Sequence, residues 1–256
     1  MSEPTLYPES GFLRLRIDLA YDGTNYSGWA KQPDQRTIQE EIEKALSTAT
    51  QSPIESIVAG RTDAGVHASG QVIHVDVPQA TEVDGLAFKL NCMLDEDIRI
   101  LTVRVMTTEF HARFTATQRS YSYTILDGNR VLPPLHRLDV APWYRTLELN
   151  LLNEASALLL GSNDFAAFCK FREDQKTVRT LKKFHWSRLN SGILIADVAA
   201  NAFCYSMVRN LVGAAVAVGE GRFEKEWAQA ILDNKERVSD SYVFPANGLT
   251  LVKVTY

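Results

Sequence analysis

A chain of 256 residues, 45% hydrophobic and 23% charged, is long enough for roughly two domains or one large α/β unit and lies outside the disordered and fibrous classes. A net charge of −4 argues against a nucleic-acid partner only until its distribution is considered. Residues 111–190 carry 12 Lys and Arg against 7 Asp and Glu, whereas the remainder carries 15 against 24. The three cysteines, Cys92, Cys169 and Cys204, are odd in number and form no Cys-x-x-Cys pair, which predicts neither a disulfide framework nor a zinc ribbon and fits a reducing, cytoplasmic setting.

In chain order, residues 1–11 are acidic and proline-punctuated and read as a flexible tail without a leader pattern. Residues 13–20 alternate Leu13, Leu15, Ile17 and Leu19 with Arg14, Arg16 and Asp18, which predicts a strand. Thr37-Ile38-Gln39-Glu40 has the form of a capping box. It opens a helix with Ile38, Ile42 and Leu46 inward and Glu40, Glu41, Glu43 and Lys44 outward. Strands are predicted over 54–58, 71–77 and 98–106, with a helix over 83–93.

In the second half, residues 119–126 place Tyr121, Tyr123 and Ile125 on one face of a strand. Pro133-Pro134 marks a loop, and a helix over 149–160 ends at Gly161. Residues 177–189 and 192–199 form a hairpin turning at Asn190-Ser191. Helices over 202–218 and 227–232 and a strand over 248–256 complete the chain. Both halves, 12–109 and 110–256, repeat strand, helix, strand or hairpin, helix, strand. The expected architecture is α+β: two similar halves, each a mostly antiparallel sheet backed by helices, with a cleft where they meet. The run 202–218 is interrupted by Arg209 and too short to span a bilayer, so no membrane association is expected.

Two features ask for a chemical explanation. Residues 59–67 form a polar segment between two strands, with Asp63 at its centre and Gly60 and Gly65 on either side, free to adopt angles closed to other residues. It supports two readings, a turn whose carboxylate satisfies nearby N–H groups and an active-site loop on a rigid scaffold. Arg209 lies in a helix apolar nearly all round; a buried guanidinium requires an anion, for which Asp63, Asp76 and Asp197 are candidates, unless it snorkels to water. The basic residues Arg113, Arg119, Arg130, Arg137, Lys170, Arg172, Lys176, Arg179, Lys182, Lys183 and Arg188 could supply phosphate contacts if folding gathers them on one face, or be a solvated surface.

The segment Gly60-Arg61-Thr62-Asp63-Ala64-Gly65-Val66-His67 resembles the active-site segment of the tRNA pseudouridine synthase A family. Tyr21-Asp22-Gly23-Thr24, Gly28-Trp29, Phe110-His111-Ala112-Arg113-Phe114, Tyr121-Ser122-Tyr123, Asn201-Ala202-Phe203, Met207-Val208-Arg209-Asn210 and Gly248-Leu249 follow in the family's order and spacing. Ala30 and Asp95 depart from it, standing where Gln and Pro are usual. The resemblance implies a pseudouridine synthase fold with an RNA-binding cleft between the halves, and isomerisation of uridine in the anticodon stem-loop of tRNA, at positions 38, 39 and 40. It implies Asp63 as nucleophile, Arg209 as its pairing cation and Tyr121 against the target uracil. Arg61 would enter the space left by the flipped base, and Leu249, His67 and Arg113 would contribute to substrate binding. No cofactor or metal is implied. The implied partners are tRNA, not DNA, and a second copy in a homodimer. Two rival readings are a metallohydrolase using Asp63, His67, His74 and Asp76, and a non-catalytic RNA-binding module stacking on Tyr121 and Tyr123.

Overall fold

The structure, a computed structural model, describes residues 11–170, 176–235 and 243–256. Of the sequence-based expectations, the tail over 1–11 (Gly11 apart) and Arg172 lie outside the described residues. The chain divides into two compact units, Met1–Thr117 with Leu251–Tyr256, and Gln118–Thr250. The division therefore differs from a single break at 109/110, because the last strand returns to the first unit.

The first unit is built on β1 (Phe12–Tyr21), where Leu13, Leu15, Ile17, Leu19 and Tyr21 are buried and the residues between them are partly exposed. Period-two alternation thus converts directly into one packed face, each fully buried aliphatic side chain contributing about 1.5–3 kcal/mol. There follow α1 (Ile38–Thr50), the short β2 (Ile57–Val58), β3 (His67–Pro78), α2 (Leu86–Met93) and β4 (Ile98–Met106). The strand order is β4-β1-β3-β10, with β2 also on β3 and β10 spanning Leu249–Thr255. Antiparallel registers place Leu15 opposite Val75 on one side and Val105 on the other.

Two expectations about α1 fail. Thr37 is the N-cap, yet its side chain makes no cap bond, and its hydroxyl is buried with no partner among the described residues. Glu43, expected outside, is buried: its carboxylate accepts from Ser56 N at 2.7 Å, Ser56 Oγ at 2.8 Å and Gln39 Nε2 at 2.8 Å, and pairs with Lys31. Burial alone would push its carboxyl up, but the Lys31 and Ser56 contacts outweigh this and hold it below the ordinary carboxylate range. The polar face of α1 is thereby tied to the strand that leads into the Asp63 loop.

The second unit repeats the plan. β5 (Gln118–Asp127), the short β6 (Ala141–Trp143), α3 (Leu149–Leu158), β7 (Gly161–Asp164), β8 (Val178–Arg188), β9 (Ile193–Ala200), α4 (Met207–Gly219) and α5 (Glu226–Asn234) follow in order. β5, β9, β8 and β7 are neighbours in that sequence, with β6 parallel to β5. As β1 pairs with β3 across a helix, β5 pairs with β9 across a helix, both antiparallel. α3 packs on β8, α4 and α5. The β8–β9 hairpin turns at Asn190-Ser191 with Gly192 at φ 89°, as its sequence predicts. Gly161, expected only to stop a helix, adopts φ 102° and opens β7.

Part of the basic surface is structural. Asp127 is 2% exposed and is gripped by Arg188 at 2.6 and 2.9 Å, Arg130 at 3.2 Å and the Leu147 N–H at 2.7 Å. Burial raises the Asp127 carboxyl, and the Arg188 bonds more than reverse this. Arg119 is also buried, donating to the Asn201 carbonyl at 2.9 Å. Among the described residues no helix is long and apolar enough to cross a membrane.

Cys169 and Cys204 form a disulfide with Cα atoms 5.7 Å apart, against the expectation of none. Thirty-five residues separate them in sequence, but the Lys170 N–H donates to the Tyr205 carbonyl at 3.0 Å, bringing the two segments together. Cys92 is the exposed free thiol. A thiol-specific reagent should therefore titrate one group in the purified chain denatured without reductant and three after reduction and denaturation. Three groups before reduction would remove the bond.

Candidate active site

The Asp63 segment is held from both flanks by buried polar groups of β1 and β3. Gln71 has no solvent exposure. Its Nε2 donates to the Tyr21 hydroxyl at 3.2 Å and to the Gly60 carbonyl at 2.8 Å, while its Oε1 accepts the Val72 N–H at 3.1 Å. The Tyr21 hydroxyl lies 2.8 Å from Thr62 Oγ1. One buried hydroxyl and one buried amide thus fix Gly60 and Thr62, on either side of Arg61 and just ahead of Asp63. Burial pushes the Tyr21 phenol up to about 12, with Thr62 and Gln71 moderating the effect, so the group stays protonated at neutral pH.

On the far side of the loop, the Val66 N–H donates to the Asp63 carbonyl at 3.2 Å and Gly65 takes φ 75°. His67, 7% exposed, accepts the Gly23 N–H at Nδ1 over 3.1 Å and lies 3.1 Å from Asp22 Oδ1. The Asp22 carboxyl is drawn up by burial and down, more strongly, by Thr24 and His67. The segment 21–29 packs closely on the Asp63 loop: Trp29 N–H donates to the Thr62 carbonyl at 3.1 Å, and a Cβ on Gly28 would sit 2.9 Å from that oxygen. Gly28 also has φ 91°, so both its conformation and its closeness demand glycine. Gly60, expected to be needed for the same reasons, is in open space and lacks positive φ.

Within this frame Asp63 is partly exposed and Arg61 exposed. His67 is nearly enclosed and braces the loop from within through the Gly23 N–H. Arg113 is exposed in a turn, residues 110–115, built against β3. There His74, 3% exposed, accepts the Ala112 N–H at 3.1 Å, and Asp76 takes the Arg14 guanidinium at 2.7 and 2.8 Å. Burial, then the Arg14 charge, push His74 down to about 4. The side chains of the rival metal set are thus engaged elsewhere: His67 with Gly23, His74 with Ala112 and Asp76 with Arg14. Among the described residues no group of three or more His, Cys, Asp or Glu is placed to hold a metal ion.

The second unit holds Tyr121, Arg209 and Leu249. Tyr121 is 8% exposed on β5, edge-on to Phe203 with ring centroids 5.2 Å apart. Every residue of α4 is buried except Arg209, which is partly exposed. Its Nε donates to the Phe244 carbonyl at 2.6 Å, and the Phe244 N–H returns to the Arg209 carbonyl at 3.3 Å. Burial raises the Tyr123 phenol, and the Arg209 charge partly offsets this. Of the three candidate anions for Arg209, Asp76 is held by Arg14 and Asp197 by Lys183 at 2.7 Å. Leu249 is 6% exposed at the start of β10.

Sequence reasoning did not pick out Tyr21, Thr62 or Gln71 as supports. Gln71 was visible only as a polar residue in a strand expected to be half-buried, and no local pattern distinguishes an outward glutamine from one enclosed by a distant tyrosine.

The sequence matches the model of a family described as tRNA pseudouridine synthase over residues 19–115 and 155–256. It is 48% identical over 247 residues to tRNA pseudouridine synthase A of Frankia casuarinae, covering 96% of this chain and 90% of that one. The protein of the same name from Streptomyces griseus is 47% identical over 254 residues, covering 97% and 89%. Among solved structures, a chain of an H/ACA RNP bound to a substrate RNA matches 79% of this chain and 53% of its own at 12% identity and TM-score 0.33, a likeness too slight to use.

Two outcomes test the site's construction. Tyr21→Phe and Gln71→Leu should each lower unfolding free energy by about 1–3 kcal/mol, because each strands a buried polar partner. Together they should cost less than their sum in a denaturant double-mutant cycle, and simple additivity would dissolve the network. His74 is buried neutral, with its folded pKa below the unfolded one. Its contribution is complete above about pH 6.5 and is lost as pH falls toward 4. His74→Gln should flatten part of the stability decline over that interval, and superimposable profiles would show that His74 does not drive it.

Proposed function

The chain belongs to the tRNA pseudouridine synthase family, and from that premise we propose that it isomerises uridine to pseudouridine in the anticodon stem-loop of tRNA, at positions 38, 39 and 40. The observation that carries the reading is a partly exposed carboxylate, Asp63, on a loop whose preceding residues are clamped by Gln71 and Tyr21. Buried supports around an accessible charged group form a preorganised site, whereas a turn residue serving only its own backbone would not require them.

In the reaction the bond from uracil N1 to ribose C1′ breaks, the base turns, and C5 bonds to C1′. The proton leaves C5, and N1 gains one, so atoms and electrons balance with no external oxidant, reductant or energy source. The chemistry therefore calls for no cofactor. A carboxylate is ionised at neutral pH without an activating base, which suits Asp63 to the role of nucleophile. Arg209 is the cation assigned to pair with it, held by the Phe244 carbonyl in an otherwise buried helix. Tyr121 supplies an aromatic face for the uracil, and Leu249 an apolar one.

A uridine within a stem must leave the stack first, at a cost of a few kcal/mol. Arg61, exposed two residues before Asp63, fills the space it leaves. His67 acts indirectly, by bracing the 21–29 segment against the loop. Arg113 and exposed lysines such as Lys170, Lys176 and Lys182 hold the RNA backbone. Action in the cytoplasm, where tRNA is matured, and a homodimeric state belong to the same proposal on family resemblance.

Asp63→Asn keeps the size of the side chain and removes its charge. Turnover of unmodified tRNA should fall on the order of a thousand-fold or more, while tRNA affinity stays within about two-fold. Turnover near that of the parent protein would sink the nucleophile assignment.

A further inference from the structure

The turn over residues 110–115 is tied down far more heavily than an exposed loop requires. Arg14 Nη1 donates to the Thr108 carbonyl at 2.7 Å and the Phe110 carbonyl at 3.1 Å, and the Tyr256 hydroxyl donates to the Ala112 carbonyl at 2.9 Å. Ala112 is fully buried, its N–H on His74. His111 then shapes the turn's tip: its Nδ1 accepts both the Arg113 and Phe114 N–H groups at 3.2 Å, bonds available only to an unprotonated ring nitrogen. Thr115 closes the turn, its N–H reaching the His111 carbonyl at 3.0 Å.

This anchored frame presents one aromatic ring. Phe114 is 76% exposed, stacked on the His111 imidazole with centroids 4.4 Å apart and planes at 30°. The His111 ring is in turn 4.7 Å from that of His74. The Arg113 guanidinium lies 5.6 Å from the Phe114 centroid. An isolated exposed phenylalanine is ordinary. This one has a backing ring fixed by two backbone donors, so little rotamer freedom remains to be lost when something stacks on it.

We propose that Phe114, backed by His111, is a stacking platform for an unpaired nucleotide of the substrate RNA, with Arg113 placed for the adjoining phosphate. The inference rests on the reading of the substrate as RNA. Every base has a π face that an aromatic side chain can accept, and single-stranded RNA is commonly held by stacking combined with cationic backbone contacts. A protein partner fits less well: Arg113, Thr115 and Thr117 around Phe114 are all exposed and polar, so the ring is not part of a broad apolar patch.

The test compares wild type, Phe114→Ala and Phe114→Trp in binding to an unmodified tRNA transcript and to a fully paired RNA duplex, with turnover at saturating tRNA and sedimentation velocity. Phe114→Ala should weaken tRNA binding on the order of ten-fold, leave duplex binding and saturated turnover unchanged, and sediment as wild type. Phe114→Trp should restore affinity. Arg113→Gln should reduce the salt slope of tRNA binding by about one. Equal tRNA affinity for Phe114→Ala and wild type would overturn the platform, as would an equal loss on duplex. A changed sedimentation coefficient in Phe114→Ala would overturn it in favour of an interface between copies. Phe114-dependent tRNA binding by a wild type that leaves uridine unconverted would instead overturn the proposed reaction and retain the platform.

Discussion

Gln71 has no exposure to water, and its amide is fully used: two donors to the Tyr21 hydroxyl and the Gly60 carbonyl, one acceptor for the Val72 N–H. A buried amide left half-satisfied would be strongly destabilising, so the network exists either complete or not at all. Its completeness fixes where the backbone leaves β2 and hence where Asp63 stands. The constraint extends outward. Thr62 is held by Tyr21 on its side chain and by Trp29 on its carbonyl, and the latter contact is possible only because residue 28 has no Cβ. The segment 21–29 is itself fastened by His67. The Asp63 carboxylate is thus positioned by β1, β3 and a loop between β1 and α1, none of which contains Asp63 itself.

A second regularity separates cations that hold carboxylates within the fold from cations exposed on its surface. Arg14, Arg130 and Arg188 serve Asp76 and the nearly inaccessible Asp127. The Asp127 pairs offset the desolvation of a buried carboxylate, and all of these pairs neutralise charge and add little surface potential. Arg61, Arg113, Lys170, Lys176 and Lys182 are exposed instead. A chain with net charge −4 can still engage tRNA because local fields, not the total, govern contacts within a Debye length of about 8–10 Å.

The elements legible in the sequence are those whose periodicity runs long enough to register. The Leu13, Leu15, Ile17, Leu19 alternation became β1, Ile38, Ile42 and Leu46 became the buried stripe of α1, and the hairpin turned at Asn190-Ser191. β6 and β7, at three and four residues, are too short to carry a period. Glu43 looked outward because charge on a helix face normally meets water, and only a distant Ser56 and Lys31 make its burial affordable. Thr37 had a capping residue's identity without its bond. Cys169 and Cys204 are joined through tertiary proximity that no spacing rule encodes. The same division applies to the site. Asp63 and its loop were visible as a motif, Arg209 as a charge in an apolar helix, but the supports at Tyr21 and Gln71 are fifty residues apart and meet only in the folded sheet. Contacts at that separation reflect the whole fold, and local composition does not specify them.

If Asp63 and its rigid surroundings are built for uridine isomerisation, this chain alone suffices for the reaction. The most direct measurement is position-resolved mapping of pseudouridine in unmodified tRNA after incubation with the purified chain and no added cofactor. New pseudouridine should appear there, confined to positions 38, 39 and 40. Unchanged uridine at all three positions in a tRNA that the protein binds would contradict it.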